Sequence, residues 1–138
     1  MPDIPRRKRR VTEATVQDHI RKYLAGQSDV TLYRNHVGSI KDAEGRWFSF
    51  GLGEGTSDLV GWIQVLATPI PARGGVVTVA RMLAIEIKAP GKEALHPERI
   101  ATQQAWLAFV RRSGGVAAMV TTVDEVAELL TEARSWRV

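Results

Sequence analysis

The sequence predicts an α/β domain, a mixed sheet flanked by helices, and three observations predict it. Segments with apolar residues at helical spacing stand at the start, after residue 96 and at the end. Between the first two lie stretches rich in β-branched and aromatic residues, bounded by glycine, proline and asparagine. A further apolar run, "GGVAAMVTT", separates the last two helices, so the order is α, three or four strands, then α, β, α. The 138 residues suit one domain with one core. A content of 44% hydrophobic and 25% charged residues excludes the disordered and fibrous classes.

Taken in order, "VTEATVQDHIRKYLAGQ" sets Val16, Ile20, Tyr23 and Leu24 on one stripe, with Thr12 as cap and Gly26 as stop. "VTLYRNHVG" and "RWFSF" are short β-rich runs with the turn "KDAEG" between them. "DLVGWIQVLA" and "GVVTVARMLAIEIK" are longer strands joined by the breaker-rich "TPIPARGG". A helix over Pro97–Arg112 has proline in its first turn. "TTVDEVAELLTEARSW" closes the chain as a helix, and Thr122 and Glu125 have the spacing of a capping box.

Other classes fall away. No run of about 18 apolar residues offers a transmembrane helix. The segment after the basic start is too polar for a signal-peptide core. Without cysteine there is neither a disulfide framework nor a thiolate metal site. An intracellular, cytoplasmic location is expected. The charge is uneven: net charge is +4, yet Arg6, Arg7, Lys8, Arg9 and Arg10 supply five positive charges, leaving 14 Lys and Arg against 15 Asp and Glu. Residues 1–10 thus read as a basic arm suited to phosphate attraction, and residues 11–138 as the folded domain. A solvated tail and a nuclear-import signal are the other readings of the arm.

The chemistry starts from charges in the wrong places. Asp58 stands at the mouth of one apolar run, and Glu86 and Lys88 stand inside another, although such residues are rarely buried unless paired, metal-bound or functional. Alternation puts Met82, Ala84, Glu86 and Lys88 on one face and Leu83, Ile85 and Ile87 on the other. Asp58 shares a face with Val60 and Trp62, so pairing of the two strands brings Asp58 beside Glu86. Facing carboxylates repel unless a positive charge lies between them. A hard cation such as Mg²⁺ meets that need, and a structural ion pair with Lys88 is the alternative. Two helical residues join them. Glu13 extends the stripe of Val16 and Ile20, or else complements the helix dipole. Gln103 interrupts the stripe of Ile100, Leu107 and Val110 with an amide, whereas Gln104 rotates away.

Other signals are weaker. "GLGEGTSD" lacks the G-K-[ST] of a phosphate loop, and its glycines permit a tight approach to the Asp58 strand. His19, His36 and His96 lack metal-ligand spacing. Arg34, Asn35 and His36 in "RNHVG" can touch phosphate, and Ser57 beside Asp58 is grouped with them. Of the four tryptophans, only Trp47, next to Arg46, is placed for base stacking.

Glu13, "YRNHVG", "GEGTSDLVG", "IEIKAPG", Gln103 three residues before Trp106, and "SGGVAAMV", in that order, resemble the VRR-NUC domain, a branch of the PD-(D/E)XK nuclease superfamily. The likeness runs from about Glu13 to the end of the chain. It implies a restriction-endonuclease-like αβββαβ core and Mg²⁺-dependent phosphodiester hydrolysis, with Mn²⁺ as substitute. By motif, it makes Asp58 and Glu86 metal ligands helped by the Ile87 carbonyl, Glu13 a further acid of the metal site, Lys88 the catalytic lysine and Gln103 an active-site amide. Stand-alone viral and bacterial members of this kind are homodimeric cutters of branched DNA, including four-way (Holliday) junctions, and this chain is similar to that group. The departures are a longer hairpin at "PIPARGG" and a long link, "KAPGKEALHPERIA", before the glutamine. The alternative from another class is a non-catalytic nucleic-acid-binding module that keeps the fold.

Overall fold

The computed structural model describes residues 10–67 and 75–136. Helix α1 (Glu13–Ala25) starts at Thr12, whose backbone is extended and whose Oγ1 accepts the Thr15 amide at 3.2 Å, and its buried stripe is Val16, Ile20 and Leu24. Strands β1 (Val30–Arg34), β2 (Gly38–Lys41), β3 (Trp47–Phe50), β4 (Leu59–Ala67) and β5 (Val77–Ile87) follow. Then come α2 (Pro97–Arg112), β6 (Val116–Val120) and α3 (Val123–Arg134).

Four strands form one sheet in the order β1-β4-β5-β6. β1 and β5 both run antiparallel to β4, and β6 runs parallel to β5, so the sheet is mixed. A parallel neighbour needs a crossover, and α2 supplies it. Alternation along β5 sorts the core. Leu83, Ile85 and Ile87 join Leu59, Ile63 and the stripes of α1 and α3 on one side, while Ala84 meets Leu107 and Val110 of α2 on the other. The small Ala84, fully buried, lets α2 lie close to the strand that carries Glu86.

"VTLYRNHVG" is not one strand. Its first half is β1, and its second half opens β2, which pairs only with β3 in a separate two-stranded sheet. The break falls at Asn35, whose amide still reaches the Asp58 carbonyl at 2.8 Å while its side chain turns to the loop before β4. Thr122 caps α3 as expected, accepting the Glu125 amide at 3.2 Å, but Glu125 reaches back to the Thr121 amide at 3.3 Å. The connection read from "TPIPARGG" lies largely in residues 68–74, outside the described residues, as does the arm up to Arg9. No helix among the described residues is long and apolar enough to cross a membrane.

Candidate active site

The register of β4 on β5 decides the site. Leu59 lies opposite Ile85, so the residue before β4, Asp58, meets the end of β5 at Glu86. The two are laced through the backbone: the Asp58 amide donates to Glu86 Oε2 at 3.2 Å, and the Ile87 amide donates to Asp58 Oδ2 at 2.9 Å. Asp58 is half-buried, whereas Glu86 is only 2% exposed.

Glu86 is the centre of a buried polar network. Its Oε1 accepts from Lys88 Nζ at 2.9 Å and from Gln103 Nε2 at 2.8 Å. Lys88 shares the face of Glu86 because strand alternation carries it two residues on, and its amide still pairs with the Val120 carbonyl at 2.9 Å. Gln103 descends from α2, while the neighbouring Gln104 is exposed. Burial, and next the Asp58 charge, push the Glu86 carboxyl up to about 7, with Lys88 pulling the other way. Gln103 Oε1 is buried and accepts no hydrogen bond among the described residues.

Asp58 and Gln103 line a cleft of about 1200 Å³ that also takes in Glu13, Arg34, His36 and Arg99, and Glu86 and Lys88 lie buried behind them. Glu13 is exposed at the first turn of α1 and shares the cleft, but it does not join Asp58 and Glu86 in a cluster. Among the described residues no group of three or more His, Cys, Asp or Glu side chains is placed to hold a metal. Arg34 and His36 are exposed. Asn35 and Ser57 are spent inside the protein. Asn35 Nδ2 donates to Thr56 Oγ1 at 2.9 Å and to the Ser57 carbonyl at 2.8 Å, and its Oδ1 accepts the Leu52 amide at 3.2 Å. The buried Ser57 hydroxyl donates to the Leu59 carbonyl at 3.0 Å. Both residues hold the loop that delivers Asp58.

The sequence reading missed Arg99, which lies four residues before Gln103 and so on the same helical face. That spacing was the available signal. It also missed how the glycine-rich loop meets α2: Gly55, at φ +83°, lies so close that a Cβ there would come within 2.6 Å of the Thr102 side chain.

The donor set suits a hard divalent cation. Mg²⁺ is commonly held by one or two carboxylates and keeps several waters, which a pair such as Asp58 and Glu86 would fit. The carboxyl pushed upward by burial and its facing acid, and the orphaned oxygen of Gln103, are the features that a hydrated cation would relieve.

A mixed sheet with helices on both faces, and two carboxylates with a lysine at the paired ends of its central strands, define an α/β protein of PD-(D/E)XK-like architecture. The chain belongs to the VRR-NUC domain family, a nuclease domain family, whose model matches residues 11–125. No curated protein and no solved structure matches it.

Proposed function

We propose that this protein is a Mg²⁺-dependent endonuclease that hydrolyses phosphodiester bonds in branched DNA, four-way junctions included, and works inside the cell as a homodimer. One observation carries the reading: Asp58 lines a polar cleft and is laced to the buried Glu86 behind it, with Lys88 and Gln103 both bonded to Glu86 Oε1. A structural ion pair between Glu86 and Lys88 explains neither Asp58 nor the orphaned Gln103 oxygen.

Asp58, Glu86 and the Ile87 carbonyl would hold the cation, with Glu13 as the further acid across the cleft. Bound there, a divalent cation lowers the pKa of water and offsets charge at a phosphoryl group. Lys88 opposes the upward push on the Glu86 carboxyl and sets a positive charge beside the position where phosphate charge grows. Gln103 orients Glu86 through its amide nitrogen and offers Oε1 to a water proton. Arg34, His36 and Arg99 face the cleft as phosphate contacts, and Arg6 to Arg10 add counterion release from the arm. Asn35 and Ser57 act through the loop that they hold. The apolar pair Ile40 and Phe48 of the β2–β3 hairpin, 60% and 52% exposed, supports the dimer reading.

The test is cleavage of matched linear, flap and four-way-junction DNAs in Mg²⁺ and in EDTA. Cutting with Mg²⁺ alone, strongest on the junction, is expected. Binding of all three without cutting in Mg²⁺ or Mn²⁺ would leave a binding module.

A further inference from the structure

The β2–β3 hairpin has two faces of different character. Its register pairs Gly38 with Phe50, Ser39 with Ser49, Ile40 with Phe48 and Lys41 with Trp47. Alternation therefore places Ser39, Lys41, Trp47 and Ser49 on one face, and Gly38, Ile40, Phe48 and Phe50 on the other. The end of the hairpin near Asp58 and Gln103 lines the cleft through a pair from each face, Ser39 with Ser49 and Gly38 with Phe50. Lys41 and Trp47 are the next pair outward on the face of Ser39 and Ser49, about 7 Å further along the ladder.

Trp47 is 67% exposed, yet it stands apart from the apolar cluster of the opposite face. Lys41 Nζ lies 5.5 Å from its ring centroid. The nearby acids of the turn, Asp42 and Glu44, are engaged with Arg46 at 2.8 and 2.7 Å. An indole with an ammonium over one face and its ring largely exposed matches the two parts of a nucleotide: the other π face for the base and a cation for its phosphate. Inside a duplex the faces of a base are covered by its neighbours, so the base that reaches this indole is an unpaired one.

We propose that Trp47 and Lys41 form a subsite, on the hairpin that edges the cleft, for a nucleotide left unpaired where duplex arms meet or end. This rests on the nucleic-acid reading of the cleft and adds the feature of the DNA that is recognised.

Binding by the full chain in EDTA, where hydrolysis is blocked, tests it. Fluorescence anisotropy would compare a blunt duplex with the same duplex bearing a short oligothymidine tail. The wild type should favour the tailed DNA. Trp47→Ala should lower the tailed-to-blunt affinity ratio about tenfold, the scale of one base–aromatic stack. Trp47→Phe should retain most of the ratio, and Lys41→Ala should fall between them. Circular dichroism of each variant separates these effects from unfolding. A wild type that binds both DNAs equally, or a ratio unmoved by Trp47→Ala, overturns the subsite and leaves the nuclease reading intact. Binding of neither DNA overturns both. A drop in molecular mass for Trp47→Ala, with both DNAs affected alike, assigns Trp47 to a protein interface and overturns the subsite.

Discussion

Glu86 stays compatible with burial because Lys88 Nζ, Gln103 Nε2 and the Asp58 amide all donate to its carboxylate. Its burial, and next the facing charge of Asp58, have a thermodynamic consequence. A carboxyl raised in the folded state from 4.5 to about 7 binds more protons folded than unfolded between those values. Its contribution to stability is therefore complete below about 4.5 and is lost as pH rises through about 7. Thermal melts in EDTA should show Tm rising by several degrees on acidification from slightly alkaline pH toward about 5.5, with Glu86→Gln flattening that slope. A wild-type slope that Glu86→Gln leaves unchanged would remove Glu86 as its source. For Lys88, turnover is the sensitive quantity. Lys88→Ala should lower kcat about a hundredfold or more while DNA affinity changes little, and equal losses of both would make it a binding residue. Asp58, Glu86, Lys88 and Gln103 were legible in the sequence because polar groups in apolar stripes stand out. The commitment of Asn35 was not, since its side-chain partners lie 17 to 22 residues away across a loop.

Among the elements, the β1–β4 edge and the loop from Leu52 to Asp58 set how Asp58 is presented. Gly61 in β4 packs against β1 so closely that a Cβ would come within 1.9 Å of the Thr31 carbonyl oxygen. Backbone cannot yield as a side chain can, so Gly61→Ala should destabilise the protein by about 1–3 kcal/mol, read by urea unfolding. An unchanged midpoint would show that β1 shifts freely. Asn35→Ala removes three hydrogen bonds to the loop and should raise the Mg²⁺ concentration that cleavage needs and lower kcat, with the fold retained. Wild-type metal dependence in that variant would make the staple dispensable. Periodicity located all three helices, β4, β5 and β6, because those segments bury one face against the same core. It carried the β1 run on to Gly38 and began the turn at Lys41, so β2 (Gly38–Lys41) was not read as a strand of its own. Nothing in "RWFSF" distinguishes a strand of the main sheet from one arm of a hairpin standing at the cleft.

For the whole molecule, the fold brings the ends of β4 and β5 and one face of α2 to a single point, and the family match covers nearly all of that framework. On the proposed function, one such centre would cut one strand, and two coordinated cuts would call for two-fold symmetry. Light scattering should give a mass near twice 15.2 kDa, and a strictly monomeric protein without junction preference would defeat the resolvase reading alone. Deleting residues 1–10 should weaken DNA binding and make its salt dependence shallower by roughly one for each phosphate that the arm neutralises. An unchanged slope would leave the arm as a tail. The most direct measurement is cleavage of labelled four-way-junction DNA in Mg²⁺ by wild type, Asp58→Asn and Glu86→Gln, with melts in EDTA showing that each is folded. If the facing carboxylates are the metal-holding centre, both variants lose activity by about a thousandfold or more while remaining folded. Wild-type cutting by either folded variant would contradict it.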